Sequence, residues 1–206
     1  MIRSILFDMG NVLIRFEPKL FIQRAGLTGE DAELIFRELF QSIEWVGCDR
    51  GTWTEEEVVA RVSRRVPERL RGCLEPLACA WNHPEDQVPG MQDIAAELAE
   101  NGYQLYLLTN AGTRHRSYWS TFPAAAWFPE DHVFRSADHH LLKPETEFYR
   151  KALESFGLKK EECLFIDDNT ANAESAWMYG IDSIVFHGDA GELRRKLAEK
   201  GIRIRY

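Results

Sequence analysis

The chain has 206 residues, 45% of them hydrophobic and 28% charged, with a formal net charge of -8. That size fits one α/β domain, or one domain with a modest insertion, and its core needs no disulfide or metal staple. The acidic balance disfavours nucleic-acid binding, and no apolar stretch approaches the roughly 20 residues of a membrane span.

The first predicted element is a strand at residues 4–7, inside the run Ile5-Leu6-Phe7-Asp8-Met9-Gly10-Asn11-Val12-Leu13. An apolar stretch delivers one carboxylate, Asp8, and breaks at once into a Gly-Asn turn. In open α/β sheets, chemistry gathers at such carboxyl-terminal strand tips. Residues 1–4 lead into this strand without a secretory apolar region, so a cytoplasmic setting is expected.

Residues 15–89 carry no convincing strand. Residues 30–43 and 54–66 read as amphipathic helices, the second opened by the capping box of Thr54 and Glu57. A helical block of this kind, inserted after the first strand, can cover Asp8. Arg61, Arg64, Arg65, Arg69 and Arg71 cluster here, but the interleaved glutamates point to a solvated face. Cys73, Cys79 and His83 match no common zinc spacing, and the four cysteines form no CxxC pair. Reduced thiols are expected.

From residue 90 the pattern alternates. A helix at 91–100 ends at Asn101-Gly102, and a strand at 104–108 ends at Thr109-Asn110. An aromatic-rich stretch (Tyr118, Trp119, Phe122, Trp127, Phe128) follows, readable as core or as a dimer contact. A short strand at 132–134 precedes Lys143-Pro144, where Pro144 is expected to open the next helix. A strand at 163–166 then ends at Asp167-Asp168-Asn169, a helix spans 170–179, and a last strand lies at 183–186. Strands alternating with helices predict a parallel sheet covered on both faces. The division is a core of residues 1–14 and 90–206 and a small all-helical cap of residues 15–89.

If the strands are parallel, Asp8, Thr109, Asn110, Lys143, Asp167 and Asp168 meet at one sheet edge. Three close carboxylates repel unless a cation joins them, and oxygen-only ligands suit a hard ion such as Mg²⁺. The Thr109 hydroxyl, backbone N–H groups and the Lys143 ammonium suit phosphate oxygens. Asp8 can then attack phosphorus, giving an aspartyl-phosphate that water cleaves. Singly, each group has an ordinary explanation; Asp167-Asp168, for instance, can cap the following helix.

Taken in order, these segments resemble the four motifs of the haloacid dehalogenase-like hydrolase superfamily: Phe7-Asp8-Met9-Gly10-Asn11-Val12-Leu13, Leu108-Thr109-Asn110, Lys143-Pro144 and Phe165-Ile166-Asp167-Asp168. The helical block resembles the family's cap. The resemblance implies a Rossmann-like doubly wound core and a Mg²⁺-dependent phosphatase acting on a small phosphorylated metabolite, as a monomer or homodimer. It implies Asp8 as nucleophile, with Asp8, the Gly10 carbonyl, Asp168 and Asp167 as the metal set, Asp167 in direct contact or just behind. It also implies Thr109 and the Asn110 N–H as phosphate holders, and Lys143 paired with both phosphate and Asp8. The nearest likeness is to a bacterial branch that includes a glucose-1-phosphate phosphatase.

One position departs from the family pattern. Most of its phosphatases carry a second Asp, the general acid–base, where this chain has Gly10. The loss favours good leaving groups such as an anomeric sugar phosphate, unless a cap carboxylate, Asp49 or Glu44, stands in. His139 and His140 precede Lys143 and read as loop residues. Two other readings remain: a catalytically weakened binding module, and a metal-independent 2-haloacid dehalogenase, against which the Asp167-Asp168 pair argues. Trp45, Trp53 and Trp81 can line a sugar surface or simply pack the cap helices.

Overall fold

A computed structural model describes residues 1–205. Five parallel strands, β1 (Ser4–Phe7), β2 (Gln104–Thr109), β3 (Val133–Arg135), β4 (Cys163–Asp167) and β5 (Asp182–Val185), form one sheet in the order β3-β2-β1-β4-β5. The interior strands are buried on both faces, so they read as unbroken apolar runs instead of alternating ones.

The helices follow in chain order: α1 (Pro18–Arg24), α2 (Gly29–Ile35), α3 (Ile43–Asp49), α4 (Glu55–Val62), α5 (Glu68–Cys79), α6 (Met91–Glu100), α7 (His115–Tyr118), α8 (Ser136–His139), α9 (Thr146–Phe156), α10 (Thr170–Tyr179) and α11 (Ala190–Glu199). Alternate strand residues face opposite layers. Ile5, Phe7, Leu105 and Leu107 pack with Ile94 and Leu98 of α6 and with Leu193 and Leu197 of α11. Leu6, Tyr106, Leu108 and Phe165 pack with Phe148, Tyr149 and Leu153 of α9 and Ala176 of α10. The sheet is therefore doubly wound. The chain leaves β1 to build β2 and β3 on one side, then returns to build β4 and β5 on the other. The strand order reverses between β1 and β4, and such a switch point opens a crevice at the carboxyl ends.

Helices α1–α5 intervene between β1 and α6. Their apolar residues, including Phe21, Ile35, Leu39, Val58 and Leu74, join the same cluster as one sheet face. Three sequence expectations change here. The segment 30–43 is not one helix: α2 passes into a π-helical turn at Phe36–Phe40 and stops, and Ser42 caps a separate α3 by accepting from the Trp45 N–H. Pro144 does not open α9, because Glu145 occupies the N-cap and the helix starts at Thr146. The cap of α10 is Asn169, not Asp167 or Asp168; its Oδ1 accepts from the N–H groups of Ala171 and Asn172. Helices α1 and α5 had no counterpart in the sequence reading. No described helix is long and apolar enough to cross a membrane.

Candidate active site

The site forms where β1 and β4 end side by side. Phe7 pairs with Ile166, and the Asp8 N–H donates to the Ile166 carbonyl at 2.9 Å, so Asp8 and Asp167 leave adjacent strands at the same level. After Asp8 the chain turns tightly: the Leu13 and Ile14 N–H groups both reach the Met9 carbonyl, at 2.9 and 3.0 Å. Asn11 takes φ +53°, a left-handed conformation that Asn tolerates better than most residues. Its side chain then bridges the site's edge, accepting from the Phe16 N–H at 3.0 Å and donating to Asp168 Oδ2 at 3.2 Å.

Lys143 is the buried hub. Its Nζ donates to Asp8 Oδ1 at 2.6 Å, to Asp167 Oδ2 at 2.7 Å and to the Leu108 carbonyl at 2.9 Å, which uses all three ammonium protons. Its backbone is clasped by the Asn110 amide, which donates to the Lys143 carbonyl at 3.0 Å and accepts from its N–H at 2.9 Å. Asn110 thus positions Lys143 with its side chain. Asp167 is fully buried and saturated with donors: Lys143 Nζ, the Asn169 N–H at 2.8 Å and the Asn172 amide at 3.1 and 3.2 Å. Asn172, in the first turn of α10, was not singled out in the sequence; its spacing from a capping Asn at 169 was the available signal.

One oxygen each from Asp8, Asp167 and Asp168 lies within 4.8 Å of the others, and among the described residues no other group of three or more His, Cys, Asp and Glu could hold a metal ion. Burial pushes the Asp8 carboxyl well above the ordinary carboxylate range; Lys143 opposes this, and Asp167 and Asp168 add to it. Burial, followed by the charge of Asp167, also raises Asp168. Burial works against the Lys143 charge, but Asp167 and Asp8 outweigh it and its pKa rises. One ammonium among three carboxylates leaves uncompensated negative charge, and the donors facing it are oxygens only. That set fits a hard divalent cation.

A cavity of about 240 Å³ opens above these groups. Asp8, Gly10, Thr109, Asn110, Lys143 and Asp168 line its floor; Phe16, Trp45, Asp49, Glu55, Trp81, Asn82, Arg114 and Tyr118 are among the residues of its walls. Trp45 and Trp81 reach it, whereas Trp53 lies under Arg61 in a cation–π contact, 4.4 Å from the ring centroid, and away from the cavity. Of the aromatic stretch after β2, Tyr118 faces the cavity, while Trp119, Phe122 and Phe128 are core. Cys48 and Cys79 also line it, but burial first, then nearby carboxylates, keep the Cys48 thiol protonated, and burial raises Cys79.

Glu44 is corrected as an acid–base candidate. It is absent from the cavity lining and holds Arg65 in a two-pronged pair at 2.6 and 2.9 Å, which lowers its pKa. His139 stacks on Phe134 with centroids 4.0 Å apart, and His140 Nδ1 meets the Arg50 carbonyl at 3.0 Å; neither faces the cavity. Of the basic cluster, Arg65 pairs with Glu38 and Glu44, and Arg69 with Asp31, as a solvated face requires. Beneath Met9 lies a network the sequence did not suggest. Fully buried Arg135 donates to His115 Nδ1 at 2.7 Å and His115 Nε2 lies 3.1 Å from Met9 Sδ. Burial and the Arg135 charge drive the His115 pKa down to about 3, so the ring is neutral.

A doubly wound sheet with a carboxylate at the tip of its first strand, and a Lys and an acidic pair converging on it, is the arrangement of a class of hydrolases. The profile of the haloacid dehalogenase-like hydrolases matches residues 2–176, and the chain belongs to that family. Among curated relatives, it is 25% identical to the drimenol cyclase of Aspergillus calidoustus over 98% of this chain and 38% of that protein. It is 24% identical to a chloroplast flavin mononucleotide hydrolase of Arabidopsis thaliana, over 78% of this chain and 63% of that one. The chain therefore spans less than two thirds of the length of either. A sesquiterpene phosphatase of Aspergillus oryzae is 23% identical, with 87% of each chain covered. The expected likeness to a glucose-1-phosphate phosphatase finds no support among these relatives.

Two solved structures show the shared fold. An enzyme of this family from Bacteroides thetaiotaomicron, in complex with magnesium and inorganic phosphate, superposes with a TM-score of 0.69 at 22% identity, covering 94% of this chain and 99% of that one. The L-2-haloacid dehalogenase of Xanthobacter autotrophicus superposes with a TM-score of 0.65 at 15% identity, over 99% and 85%. The fold alone does not separate phosphatase from dehalogenase; the site residues must.

Proposed function

We propose that this chain is a Mg²⁺-dependent phosphatase that hydrolyses a small phosphorylated metabolite through a phosphoryl group carried on Asp8. One observation carries the reading: three carboxylates with oxygens inside 4.8 Å of one another have a single ammonium beside them, bonded to Asp8 and Asp167, under a cavity that Asp8, Asp168 and Lys143 line. A haloacid dehalogenase, which releases halide without a metal, has no use for that excess of negative charge. The sesquiterpene phosphatase and the flavin mononucleotide hydrolase among the curated relatives, and the magnesium and phosphate held by the Bacteroides enzyme, support the same choice.

Asp8, the Gly10 carbonyl and Asp168 would hold the ion, with Asp167 behind them, since its oxygens already receive donors from Lys143, Asn169 and Asn172. When bound, Mg²⁺ supplies neutralisation of charge on the transferring group. Lys143 keeps Asp8 Oδ1 fixed, so the other oxygen, Oδ2, is the one directed to phosphorus. Thr109 and the Asn110 N–H hold the phosphoryl oxygens, and Lys143 adds a positive charge where negative charge develops. The P–O bond of the substrate breaks as the Asp8–P bond forms, and water then cleaves the aspartyl-phosphate.

The helices over the site act as the cap. A cavity of about 240 Å³ lies below the roughly 300–1,000 Å³ of pockets for drug-sized ligands, so the leaving group is compact. A sugar phosphate fits the mixture of Trp45 and Trp81 rings with Asp49 and Asn82. A panel of phosphate monoesters assayed with Mg²⁺ and with EDTA tests this. Phosphate release that needs Mg²⁺ and vanishes in Asp8→Asn is the expected result. Metal-independent halide release from a 2-haloacid, or tight binding without turnover, contradicts it.

A further inference from the structure

We propose that Asp49, at the end of α3, is the acid–base residue of this site and does from the cap what Gly10 lacks the side chain to do. The proposal rests on the phosphatase reading above. Four carboxylates line the cavity: Asp8, Asp49, Glu55 and Asp168. Asp8 and Asp168 belong to the nucleophile and the ion. Glu55 is packed away: a Cβ placed on Gly112 would lie 2.7 Å from its Oε1 and 2.9 Å from Cys48 Sγ, and its Oε2 is sealed from solvent with no hydrogen-bond partner. Asp49 remains, on the cavity wall contributed by the cap.

Its position is fixed from the core side. Ser136 Oγ donates to the Asp49 carbonyl and accepts from the Ala111 N–H at 2.8 Å, tying α3 to the loop after β2. Arg50 donates to the His140 carbonyl at 3.1 Å and pairs with Glu145, while its own carbonyl meets His140 Nδ1 at 3.0 Å. Gly51 lies so close to α8 that a Cβ there would sit 2.4 Å from the Ala137 carbonyl oxygen. Residues 49–51 are thus clamped to the segment that leads into Lys143, which fixes the backbone from which the Asp49 carboxyl reaches the cavity wall.

The surroundings favour the protonated form. Burial raises the Asp49 carboxyl to about 7, helped by Glu55 from α4 and Asp8 from β1 and opposed by Lys143. Cys48 on α3 and Tyr118 on α7 are the other titratable groups turned towards it, and both are held neutral by burial. In the first half-reaction Asp8 Oδ2 bonds to phosphorus, the P–O bond to the leaving group breaks, and that oxygen takes the Asp49 proton. In the second, the Asp49 carboxylate takes a proton from water as the water oxygen bonds to phosphorus and the Asp8–P bond breaks. Both residues return to their starting states, with alcohol and phosphate released. A chain with such a proton donor handles ordinary alkyl esters and is not confined to anomeric phosphates.

Asp49→Asn and Asp49→Glu are compared with wild type on p-nitrophenyl phosphate and on glycerol phosphate, with Mg²⁺ present. An acid–base role predicts that Asp49→Asn lowers kcat/KM, which reports phosphoryl transfer to Asp8, by roughly 10²- to 10⁴-fold on glycerol phosphate and by less than about tenfold on p-nitrophenyl phosphate, and removes the alkaline limb of the kcat/KM profile, with partial recovery in Asp49→Glu. Equal losses of kcat/KM on both esters, or no loss on either, overturn it. A wild-type measurement serves if Asn is not accommodated: kcat/KM across aryl and alkyl esters depends only shallowly on leaving-group pKa if a donor is present, and steeply if none is. The phosphatase reading fails separately, by absence of Asp8-dependent turnover on every ester.

Discussion

Lys143 holds two carboxylates that repel one another, and its three protons are spent on Asp8, Asp167 and the Leu108 carbonyl. Lys143→Ala removes the one positive charge bonded to these carboxylates, and on the proposed mechanism kcat falls by about 10²- to 10³-fold, comparable to loss of one oxyanion donor. Steady-state assays check this, and turnover within a few-fold of wild type contradicts it. Gly10 makes a second residue-scale case. A Cβ there meets only Phe16 Cβ, at 3.5 Å, an ordinary contact. The backbone therefore accepts a Cβ, and Gly10→Asp in the Asp49→Asn background is expected to restore at least tenfold of the turnover on glycerol phosphate, within the range of general acid catalysis. For stability, Asp49 has the opposite sign from a salt-bridged acid. Its native pKa of about 7 lies above the ordinary 3.8, so the folded chain keeps a proton that the unfolded chain releases. The contribution is complete below about pH 4 and is lost as pH rises through 7. Thermal melts of metal-free protein should show Asp49→Asn losing less stability than wild type over that window; parallel slopes contradict the assignment. At this scale the sequence was most legible where a polar residue ended an apolar run, as at Asp8, Thr109 and Asp167. Asn11, Asn172 and the Arg135–His115–Met9 network were not legible, because their roles come from partners 20 to 157 positions away or from a helix turn folding back.

Among the elements, α3 and α8 form the joint on which the cap is seated. Gly51 has φ +74° and abuts the Ala137 carbonyl, so Gly51→Ala adds both backbone strain and a clash. A loss of about 1–3 kcal/mol is expected, with kcat on alkyl esters falling alongside as α3 lifts from the core. Chemical denaturation and kinetics on the same variant check the pair; a stable protein with unchanged kcat refutes the joint. The strands were readable because buried parallel strands appear as continuous apolar runs, and α10 was read at its observed span of 170–179 with Gly180 as its stop, though without Asn169 as its cap. The cap helices were read less well. Hydrophobic spacing continues through the π-helical turn at Phe36–Phe40, so the sequence shows one helix where the chain makes two. Helix α1 is only seven residues long, and α5 carries Pro76 inside it; both features weaken a helical pattern although packing against the core sustains the helix.

At the scale of the molecule, the sheet's switch point sets the place of the site and the cap sets its volume. The apolar cluster that runs from α6 and one sheet face into α1–α5 makes the cap part of one folding unit with the core. A cation bridging the loops at the tips of β1 and β4 should therefore stabilise the whole chain. Mg²⁺ at 100 times its Kd adds about 2.7 kcal/mol to the folded state, visible as a raised Tm that EDTA reverses and Asp168→Ala abolishes. No Mg²⁺-dependent shift would contradict an ion at this edge. The central claim is chemical: phosphorus is transferred to the Asp8 carboxylate. Acid-quenching the enzyme during turnover of a hydrolysed ester and mass-analysing the peptide that contains Asp8 tests it directly. One phosphoryl group on Asp8, absent from Asp8→Asn and from unreacted protein, is the predicted result; sustained phosphate release by Asp8→Asn would contradict it.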